Sequence, residues 1–589
     1  MPRLAHGEVI RVDPVEVAAA VLTADSPETA RAIANALQSH RRNFDLLFPD
    51  LQNDPANLLV ESSPQTRNAL VELGRTMRDA FDVDFPPPNG ADPGDASDIP
   101  AAYTYFGQFI DHDITLEATS SPALTTLFAP NLAPLPIGTI TKGLRNLRSA
   151  TLDLDSVYGE PAPRDEGKRH KMKLGTVSPF GNRPPGKDDF NDLLREARST
   201  LPEHDRAAMI GDPRNDENLV VSQLHVAFLR AHNRLVDEGH TFQEARRILR
   251  QHYQHLVLHD FLPRVADPAI VNTILQNGND VYDPPPNQFF LPLEYTVAAF
   301  RFGHTMVRNR YDFNLNFPGA SLSLLFTFTA LSGGLGFGAG NDTLPENWII
   351  EWENFVEAGG GVTPDKARRI DTKLVEPGLF ALQDLEGNAP DPSLPEELRD
   401  PARLAVRNLL RGYLLRMPTG QAVAQALNLT PLTAAQIETA AASPEQVAAL
   451  QAGGFSTRTP LWYYILAEAA HGGGHHLGPV GSTIVAEVLI GLARRSKESI
   501  LTDSSWTGPT LPGAQSGTFE LADLLRFAGV LDGTTTVVQY TVVAGDTLSK
   551  IAQKFYGDPS QWPRIFEANR DQLSNPNLIF PGQVLRIPQ

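Results

Sequence analysis

The chain has 589 residues, of which 41% are hydrophobic and 20% are charged, a composition typical of globular proteins. Its formal net charge of −19 argues against binding to nucleic acid or to an acidic membrane surface, because both require clustered Lys and Arg. It contains no cysteine, which excludes disulfides, thiolate catalysis and cysteine-ligated zinc or haem.

A chain of this length is expected to form one large unit and a smaller one. We divide it into an N-terminal extension (1–42), a large domain (43–532), a linker (533–539) and a C-terminal module (540–589). The N-terminal sequence MPRLAHGEVIRVDP has charges and a proline where a secretory signal needs an apolar core. We therefore expect a cytoplasmic protein or export by a non-standard route.

Apolar residues recur at three- and four-residue spacing through most of the large domain, for example over residues 220–265 and 402–415. This period predicts amphipathic helices, and strand-like alternation is scarce before the C-terminal module. The Pro-, Gly- and Asp-rich stretch 85–100 predicts a loop. The uncharged run 313–341 has too much Ser, Thr, Gly and Pro for a spanning helix, so we predict a buried hairpin or loop and no transmembrane segment.

The first polar constellation lies in YTYFGQFIDHDITLE, residues 103–117. On a helix, Gln108 and His112 share a face because they are four residues apart, and Asp111 and Asp113 project to either side of His112. One imidazole can then face a cavity while the two carboxylates serve neighbouring sites. Taken alone, His112 is more often a satisfied core histidine than a catalytic one.

A second constellation, RSATLDLDSVYG at residues 148–159, alternates side chains that carry oxygen: Ser149, Thr151, Asp153 and Asp155. Alternate residues of an extended segment face the same way. Calcium prefers about six to eight oxygen ligands, with carboxylates supplying the charge, so the pattern is compatible with a calcium site. A solvated turn is the alternative.

Two further segments place charged and imidazole groups beside apolar helices. Arg214 and Glu217 precede the helix predicted from residue 220 and could be ordinary helix-start charges. His304 lies in AFRFGHTM with Arg301 three residues before it, on the same face of a helix. A histidine among aromatic residues suits an axial haem ligand, and the arginine suits a haem propionate.

Five motifs in order, GQFIDHD, RSATLDLDSVYG, GDPRNDENL, AFRFGH and RNLLRGYLLRMPTGQ, resemble those of the animal-type haem peroxidases of the peroxidase–cyclooxygenase superfamily, in a bacterial form. The similarity runs from about residue 43 to residue 530. It implies a large, mainly α-helical domain that binds haem b and calcium. It also implies that hydrogen peroxide is reduced through a ferryl intermediate and that a halide, a phenol or another small donor is oxidised.

Carried over residue by residue, the resemblance assigns a role to each matching position. His112 would be the distal histidine and general base for hydrogen peroxide, with Gln108 and Arg214 beside it. His304 would be the proximal iron ligand. The groups implied around it are Asn408 on its second ring nitrogen and Arg301 and Arg411 on the haem propionates.

The resemblance also implies a calcium site and covalent attachment of the haem. The calcium ligands would be Asp113, Ser149, Thr151, Asp153 and Asp155. Asp111 and Glu217 occupy the positions of the aspartate and glutamate that form haem esters in mammalian members, so ester-linked haem is compatible with the sequence. The methionine that follows this glutamate in myeloperoxidase is Asn218 here, which excludes a sulfonium link.

The C-terminal module predicts the order strand, helix, helix, strand. VVAGDTLSKIAQKFYG and NPNLIFPGQVLRIP resemble the LysM module, which implies binding of N-acetylglucosamine-containing polymers such as peptidoglycan or chitin. A cell-wall or extracellular location is then the alternative to the cytoplasm. The glycan-binding residues implied are Gly545, Asp546, Thr547, Leu548, Asn575, Pro576, Asn577, Leu578 and Ile579. A degenerate repeat used for protein contacts is the other interpretation.

Two other functions are alternatives to the peroxidase. Fatty-acid dioxygenases of the same superfamily need a tyrosine three residues before the proximal histidine, where this chain has Arg301. A non-catalytic, glycan-binding wall protein would be favoured by loss of His112, Arg214 or His304, and all three are present. The sequence HGGGHH at residues 471–476 is expected to form a loop, with metal binding as the alternative.

Overall fold

The structure is a computed structural model. It describes residues 10–11, 43–61, 64–79, 96–119, 121–159, 162–165, 167–201, 204–284, 290–326, 341–359, 362–375, 400–512, 518–531, 537–569, 572–573 and 575–588. Most of the predicted N-terminal extension and the first part of the predicted linker lie outside the described residues.

The large domain is mainly helical, which confirms the predicted fold class. Its α-helices are Gln65–Thr76, Ala102–Ile114, Ile137–Gly143, Asp155–Tyr158, Leu219–Asp237, Phe242–His255, Leu262–Val265, Pro268–Asn277, Leu404–Leu414, Gly420–Ala426, Ala434–Thr439, Pro444–Ala452, Leu461–His471, Pro479–Arg495 and Leu521–Phe527. The π-helices are Leu256–Phe261 and Glu294–Ala298. The 3₁₀ helices include Pro213–Asp216, Ala299–Met306 and Leu322–Phe326.

The His112 helix, Ala102–Ile114, packs against Leu219–Asp237 in the main hydrophobic core. Phe109 and Phe228 stack there, with ring centroids 4.7 Å apart. Asn218 starts the second helix, because its side-chain oxygen accepts a hydrogen bond from the backbone N–H three residues on, at 3.0 Å. The helices predicted for these two segments are therefore present, and they lie side by side.

The His304 segment, residues 294–306, differs from the regular α-helix that its apolar period predicts. Glu294–Ala298 is a π-helix and Ala299–Met306 is a 3₁₀ helix. Helix type depends on the spacing of the backbone hydrogen bonds, which the apolar period does not encode. Arg301 and His304 still share a face, because residues three apart eclipse in a 3₁₀ helix.

A small mixed sheet anchors one end of each of these two elements. Its spatial order is Ile10–Arg11, Glu117–Thr119, Leu144–Asn146, Asn43–Asp45 and Phe290–Pro292. Glu117–Thr119 directly follows the His112 helix and pairs antiparallel with Leu144–Asn146. Phe290–Pro292 pairs parallel with Asn43–Asp45 and leads into the His304 segment. The sheet therefore fixes where the His112 helix ends and the His304 segment begins.

Two predicted loops are partly ordered as strands. Ala96–Pro100, at the end of the predicted loop 85–100, pairs antiparallel with Lys366–Arg368. Ala320–Ser321, within the uncharged run, pairs antiparallel with Arg310–Tyr311 just before it, and the 3₁₀ helix Leu322–Phe326 follows. Residues 327–340 lie outside the described residues. Where the chain is described, no helix is both long and apolar enough to cross a membrane.

The C-terminal module has the predicted order of elements. Strands Val537–Thr541 and Val584–Pro588 pair antiparallel and flank the helices Leu548–Tyr556 and Trp562–Glu567. The first strand begins inside the predicted linker, at Val537. The buried side chains of the module form a hydrophobic cluster separate from the main core.

Candidate active site

A cleft lies between the His112 helix and the His304 segment. Its empty volume is about 1050 Å³, part of which is open to solvent. Its polar lining includes Gln108, Asp111, Glu217, Asn218, Arg301 and His304. The rest is largely apolar and aromatic, including Phe261, Phe300, Phe302, Met306 and Leu404. A large apolar cleft with a few polar groups is typical of a site for a small molecule or cofactor.

Gln108 is held at both ends of its side-chain amide. Its Nε2 donates to Oε2 of Glu217 at 3.0 Å, and its Oε1 accepts from Nδ2 of Asn218 at 3.0 Å. The Oδ1 of Asn218 is already used at the start of the following helix, so Nδ2 is the end that can reach Gln108. The orientation of the Gln108 amide is therefore fixed, with its NH₂ group on the side of Glu217.

His112 is fully buried, and Asn215 sets its tautomer. Nδ1 of His112 donates to Oδ1 of Asn215 at 2.9 Å, and Nδ2 of the same amide donates to Nδ1 of His225 at 2.9 Å. Nε2 of His112 is then the unprotonated nitrogen, and it lies 3.9 Å from Oε2 of Glu217. Burial and the positive charge of Arg214 lower the pKa of His112 to about 3, so the ring is neutral at neutral pH and can accept a proton.

Arg214 lies beside the His112 helix but outside the cleft lining. Its Nε and Nη2 donate to Asp212 at 3.1 and 2.8 Å, and Nη2 also donates to the backbone oxygens of His112 and Thr115. Burial acts to raise the pKa of Asp212, but Arg148 and Arg214 outweigh it and hold that pKa well below its ordinary range. We expected Arg214 within the distal cavity, whereas its guanidinium braces the end of the His112 helix.

His304 lies in the cleft lining, and its ring contacts Asn408. Nδ2 of Asn408 lies 2.9 Å from Nδ1 of His304. Burial, followed by the charges of Arg301 and Arg407, lowers the pKa of His304 to about 3. The structure therefore brings together the predicted pair of His304 and Asn408 and keeps the imidazole neutral.

Arg301 and Arg411 converge on one buried carboxylate, Glu117. Nη2 of Arg411 lies 2.5 Å from Oε2 of Glu117, and Nη2 of Arg301 lies 3.8 Å from Oε1. Nη1 of Arg411 also donates to the backbone oxygen of Leu124 at 2.6 Å. Of these three residues only Arg301 lines the cleft, and Asp111, which also lines it, is a second carboxylate close enough for the charge of Arg301 to act on its pKa.

The predicted calcium ligands of the loop 148–159 contact one another. The bonds are Ser149 Oγ to Asp155 Oδ2 at 2.5 Å, Thr151 Oγ1 to Ser149 Oγ at 2.8 Å, and Thr151 Oγ1 to Asp153 Oδ2 at 2.8 Å. Asp113 accepts backbone N–H groups of Leu154 and Ser156 from the same loop, each at 3.1 Å. Burial, followed by the charge of Asp155, raises the pKa of Asp113 to about 8. Within the described ranges, no three His, Asp or Glu side chains are already arranged around a metal-sized space.

Comparison with known proteins finds a family-model match in each of the two parts of the chain. Residues 134–324 match the family model described as animal haem peroxidase, and residues 540–588 match the LysM domain model. The chain carries an animal haem peroxidase domain and a LysM domain. The peroxidase match includes the 148–159 loop and His304, whereas His112 lies before it.

The relatives of the peroxidase and LysM domains overlap the chain only in part. A peroxidase-like protein of Margaritifera margaritifera is 29% identical over 256 residues, which is 36% of this chain and 32% of that protein. The potassium binding protein Kbp of Escherichia coli is 39% identical over 99 residues, 17% of this chain and 59% of that protein. Peroxidase A of Dictyostelium discoideum has a TM-score of 0.50 at 16% identity, covering 83% of this chain and 94% of that one, which shows a shared fold.

The first predicted glycan loop of the LysM domain is held by hydrogen bonds to the side chain of Asp546. Gly545 has φ of +89°, a left-handed conformation that favours glycine. Asp546 accepts hydrogen bonds from the backbone N–H of Val543 and from the hydroxyl of Tyr540, both at 2.9 Å. Thr547 caps the next helix, and Leu548 is buried in the domain core. The side chain of Leu548 therefore belongs to the core, and a ligand at this position would meet backbone.

The second predicted glycan loop, residues 575–579, is more open. Oδ1 of Asn575 accepts a hydrogen bond from the backbone N–H of Asn577 at 2.9 Å, which forms a turn around Pro576. Leu578 is 55% exposed, whereas Ile579 packs against the core. Leu578 is thus the apolar side chain that this loop offers to a partner.

Sequence reasoning missed Asp212, Asn215 and Glu117. Asp212 and Asn215 flank Arg214 in GDPRNDENL, and their polarity inside a segment that precedes a buried helix could have marked them. Glu117 ends the stretch that contains His112, but no local period relates it to Arg301 and Arg411. Its partners lie 184 or more residues away, so only the fold brings them together.

Proposed function

We propose that the chain is a haem peroxidase that uses hydrogen peroxide to oxidise a small donor, with the haem in the cleft between the His112 helix and the His304 segment. The observation that carries the proposal is the pair of buried, neutral imidazoles on the two elements that bound this cleft, each with its own amide partner. Neutral imidazole is the form that binds iron and the form that accepts a proton.

The residues present fit a haem. His304 would bind the iron through Nε2, and Arg301 and Arg411 would face the propionates. A half-turn of the Asn408 amide would let its oxygen accept the Nδ1 proton of His304, which leaves Nε2 unprotonated as a ligand must be. A Cβ added at Gly303 would meet no atom within 4 Å, so the space beside His304 is open. Bound haem supplies the redox chemistry of peroxide reduction.

The protein's own contribution is to place and move protons. Nε2 of His112 would accept the proton of hydrogen peroxide and return it to the departing oxygen. Asn215 keeps the other ring nitrogen protonated, so the basic nitrogen stays on the side of Glu217. Arg214, bonded to the backbone of the His112 helix, would hold that helix in place, which makes it a positioning residue.

Calcium binding and ester attachment of the haem form part of the same proposal. The loop oxygens surround Asp113, whose pKa is raised by burial and then by the negative charge of Asp155, and a calcium ion would relieve this repulsion. Asp111 and Glu217 line the cleft and would reach the haem edge. Chelation with EGTA should lower the melting temperature of the protein, and an unchanged melting temperature would count against calcium.

For the LysM domain we propose binding of an N-acetylglucosamine polymer at the two loops around Gly545 and Leu578. The exposed Leu578 supports this, because glycan rings pack on apolar side chains that loops leave open. Co-sedimentation of the full chain with peptidoglycan and with chitin tests it. Leu578→Ala should reduce the pelleted fraction, and equal pelleting of both proteins would argue against this surface.

An absorption spectrum of the purified, haem-supplied protein tests the peroxidase proposal. We expect a Soret band that is lost in His304→Ala and retained in His204→Gln, whose histidine is exposed and pairs with Glu196. Acid–acetone extraction then reports whether the haem is ester-linked. Peroxide-dependent donor oxidation should follow haem content, whereas absence of haem binding would favour a non-catalytic wall protein. Oxygen uptake with linoleate and no peroxide would favour the fatty-acid dioxygenase.

A further inference from the structure

Three histidines lie along one helical stretch that the peroxidase proposal does not use. The helix Phe242–His255 continues directly into the π-helix Leu256–Phe261. It carries His252, His255 and His259. π-Helical turns are rare and occur frequently at functional sites.

Both ring nitrogens of His252 form hydrogen bonds with the backbone. Its Nδ1 donates to the backbone oxygen of Ile248 at 2.8 Å. Its Nε2 accepts the backbone N–H groups of Thr510 and Leu511 at 2.9 and 3.1 Å. Both ring nitrogens are used, so His252 cannot serve as a ligand without releasing the segment 510–511.

His255 and His259 differ from His252 in having nitrogens that are not engaged. Across the described part of the chain, neither ring makes a hydrogen bond. The two rings contact each other, with centroids 4.6 Å apart and planes at 38°. His255 is 6% exposed, yet its nitrogens are not among the fully enclosed polar atoms without partners. They are therefore not fully enclosed, and His259 beside them is exposed.

The helix geometry explains why the two rings meet. A π-helix closes its hydrogen bonds over five residues, so four residues make almost one full turn and their side chains lie one above the other. Histidines four apart on a helix bind one metal ion in the metalloprotease helix motif. Two imidazoles that bind the same ion at about 2.0–2.1 Å hold their ring centroids roughly 5 Å apart, close to the spacing seen here.

We propose that His255 and His259 form a surface chelate for one divalent transition-metal ion, such as Cu²⁺, Ni²⁺ or Zn²⁺, with water completing its coordination. Imidazole ligands favour these ions over calcium and magnesium, which prefer oxygen. The nearby carboxylate Asp260 does not contribute, because its oxygens already bond the hydroxyl of Tyr103 and the side chain of Arg264.

The protonation state of the two histidines supports metal binding at neutral pH. Burial, followed by His259 and His252, lowers the pKa of His255 to about 3, and desolvation lowers that of His259. Each ring is then neutral and has one nitrogen lone pair available to a metal without first losing a proton. The chelate is independent of the haem proposal.

Trp506 provides a local reporter. Its ring centroid lies 6.4 Å from that of His255, close enough for bound Cu²⁺ to quench its fluorescence. The full chain should be titrated with Cu²⁺ in a background in which His471, His475 and His476 are glutamine, because that loop offers competing imidazoles. Equilibrium dialysis of the same samples counts bound copper, and Trp506→Phe assigns the quenched signal.

We expect saturable quenching with one copper bound per chain. His259→Gln should weaken binding by about tenfold or more, which corresponds to about 1.4 kcal/mol. His204→Gln, a matched change at an exposed histidine elsewhere, should leave binding unchanged. His255→Gln should behave like His259→Gln, but His259 is exposed, so its variant decides the question if His255→Gln misfolds. Equal copper affinity in the background protein and in His259→Gln would overturn the proposal.

Discussion

Asn215 determines which nitrogen of His112 is basic, because it accepts a hydrogen bond from the other one. We predict that Asn215→Asp raises the pKa of His112 above its value of about 3, since a carboxylate stabilises the imidazolium form. A histidine must be unprotonated to accept the proton of peroxide. The acid limb of the rate of reaction with hydrogen peroxide should therefore move to higher pH in this variant, measured by stopped-flow absorbance.

The matched control for this charge change is Asn68→Asp at an exposed helical position, which should leave the pH profile unchanged. Asn215→Ala tests the buried bonds instead. It leaves ring nitrogens of His112 and His225 short of a partner and should cost about 1–3 kcal/mol per group in the free energy of unfolding. If the pH profile of Asn215→Asp overlaid that of the wild type, the Asn215 amide would not control the pKa of His112.

Asn218 has two separable tasks, a helix cap and a clamp on Gln108. Asn218→Ser keeps a side-chain oxygen for the cap and loses the amide donor, so it should change stability by only a few tenths of a kcal/mol. We predict that peroxide reactivity nevertheless falls, by about tenfold if the clamp is worth about 1.4 kcal/mol in the transition state. Asn218→Asp should be worse, because it sets a carboxylate against Oε1 of Gln108.

A double-mutant cycle separates the clamp from a general structural effect. In a Gln108→Leu background, Asn218→Ser should have no further effect on peroxide reactivity, because the group it positions is gone. A full additional loss in that background would mean that Asn218 acts through the fold and not through Gln108.

Glu294 links the start of the His304 segment to the turn that follows the strand Asn43–Asp45. It is fully buried and accepts the backbone N–H groups of Leu47 and Phe48 at 2.8 and 3.1 Å. Burial raises its pKa from an ordinary value of 4.5 to about 7. Between these values the folded state binds more protons than the unfolded state, so this group's contribution to stability is complete at low pH and is lost as pH rises toward 7.

We predict that Glu294→Gln flattens the fall in unfolding free energy between about pH 4.5 and 7, by up to about 3 kcal/mol because each pKa unit is worth about 1.4 kcal/mol. Urea unfolding at several pH values measures this difference. Glu72→Gln, at an exposed helical glutamate, is the control and should leave the slope unchanged. Parallel pH curves for wild type and Glu294→Gln would show that this carboxyl does not couple folding to pH.

The elements show what the sequence can and cannot predict. The apolar period predicted the long helices. The resemblance of the motifs predicted two contacts, that of His304 with Asn408 and that of Asp113 with the 148–159 loop, because all of these residues lie in recognisable motifs. The π and 3₁₀ turns of the His304 segment were not predictable, since their apolar residues keep an α-like spacing. The position of Arg214 was not predictable either, because Asp212 competes for its guanidinium and only the folded backbone shows which partner it meets.

The described residues of the chain form two hydrophobic cores, a large one and that of the LysM domain. Leu585→Ala removes a fully buried side chain from the smaller core and should cost about 2–5 kcal/mol. A domain of this size has little stability to spare, so its thermal transition should shift strongly downward or disappear. We predict that differential scanning calorimetry of the full chain shows the peroxidase-domain transition unchanged.

The control for the two-core prediction is Leu578→Ala, because Leu578 is 55% exposed and its loss should move neither transition. If Leu585→Ala shifted both transitions together, the two cores would have to unfold as one cooperative unit.

Glu117 gives the Arg301 and Arg411 pair a counter-charge that belongs to the polypeptide itself. The chain can therefore bury both guanidinium groups while it folds, without waiting for an acidic ligand to neutralise them. Binding of an acidic cofactor at these arginines would then replace one anion, Glu117, by another in a protein that is already folded. How firmly the incoming acid is retained would depend on how readily the resident carboxylate gives way.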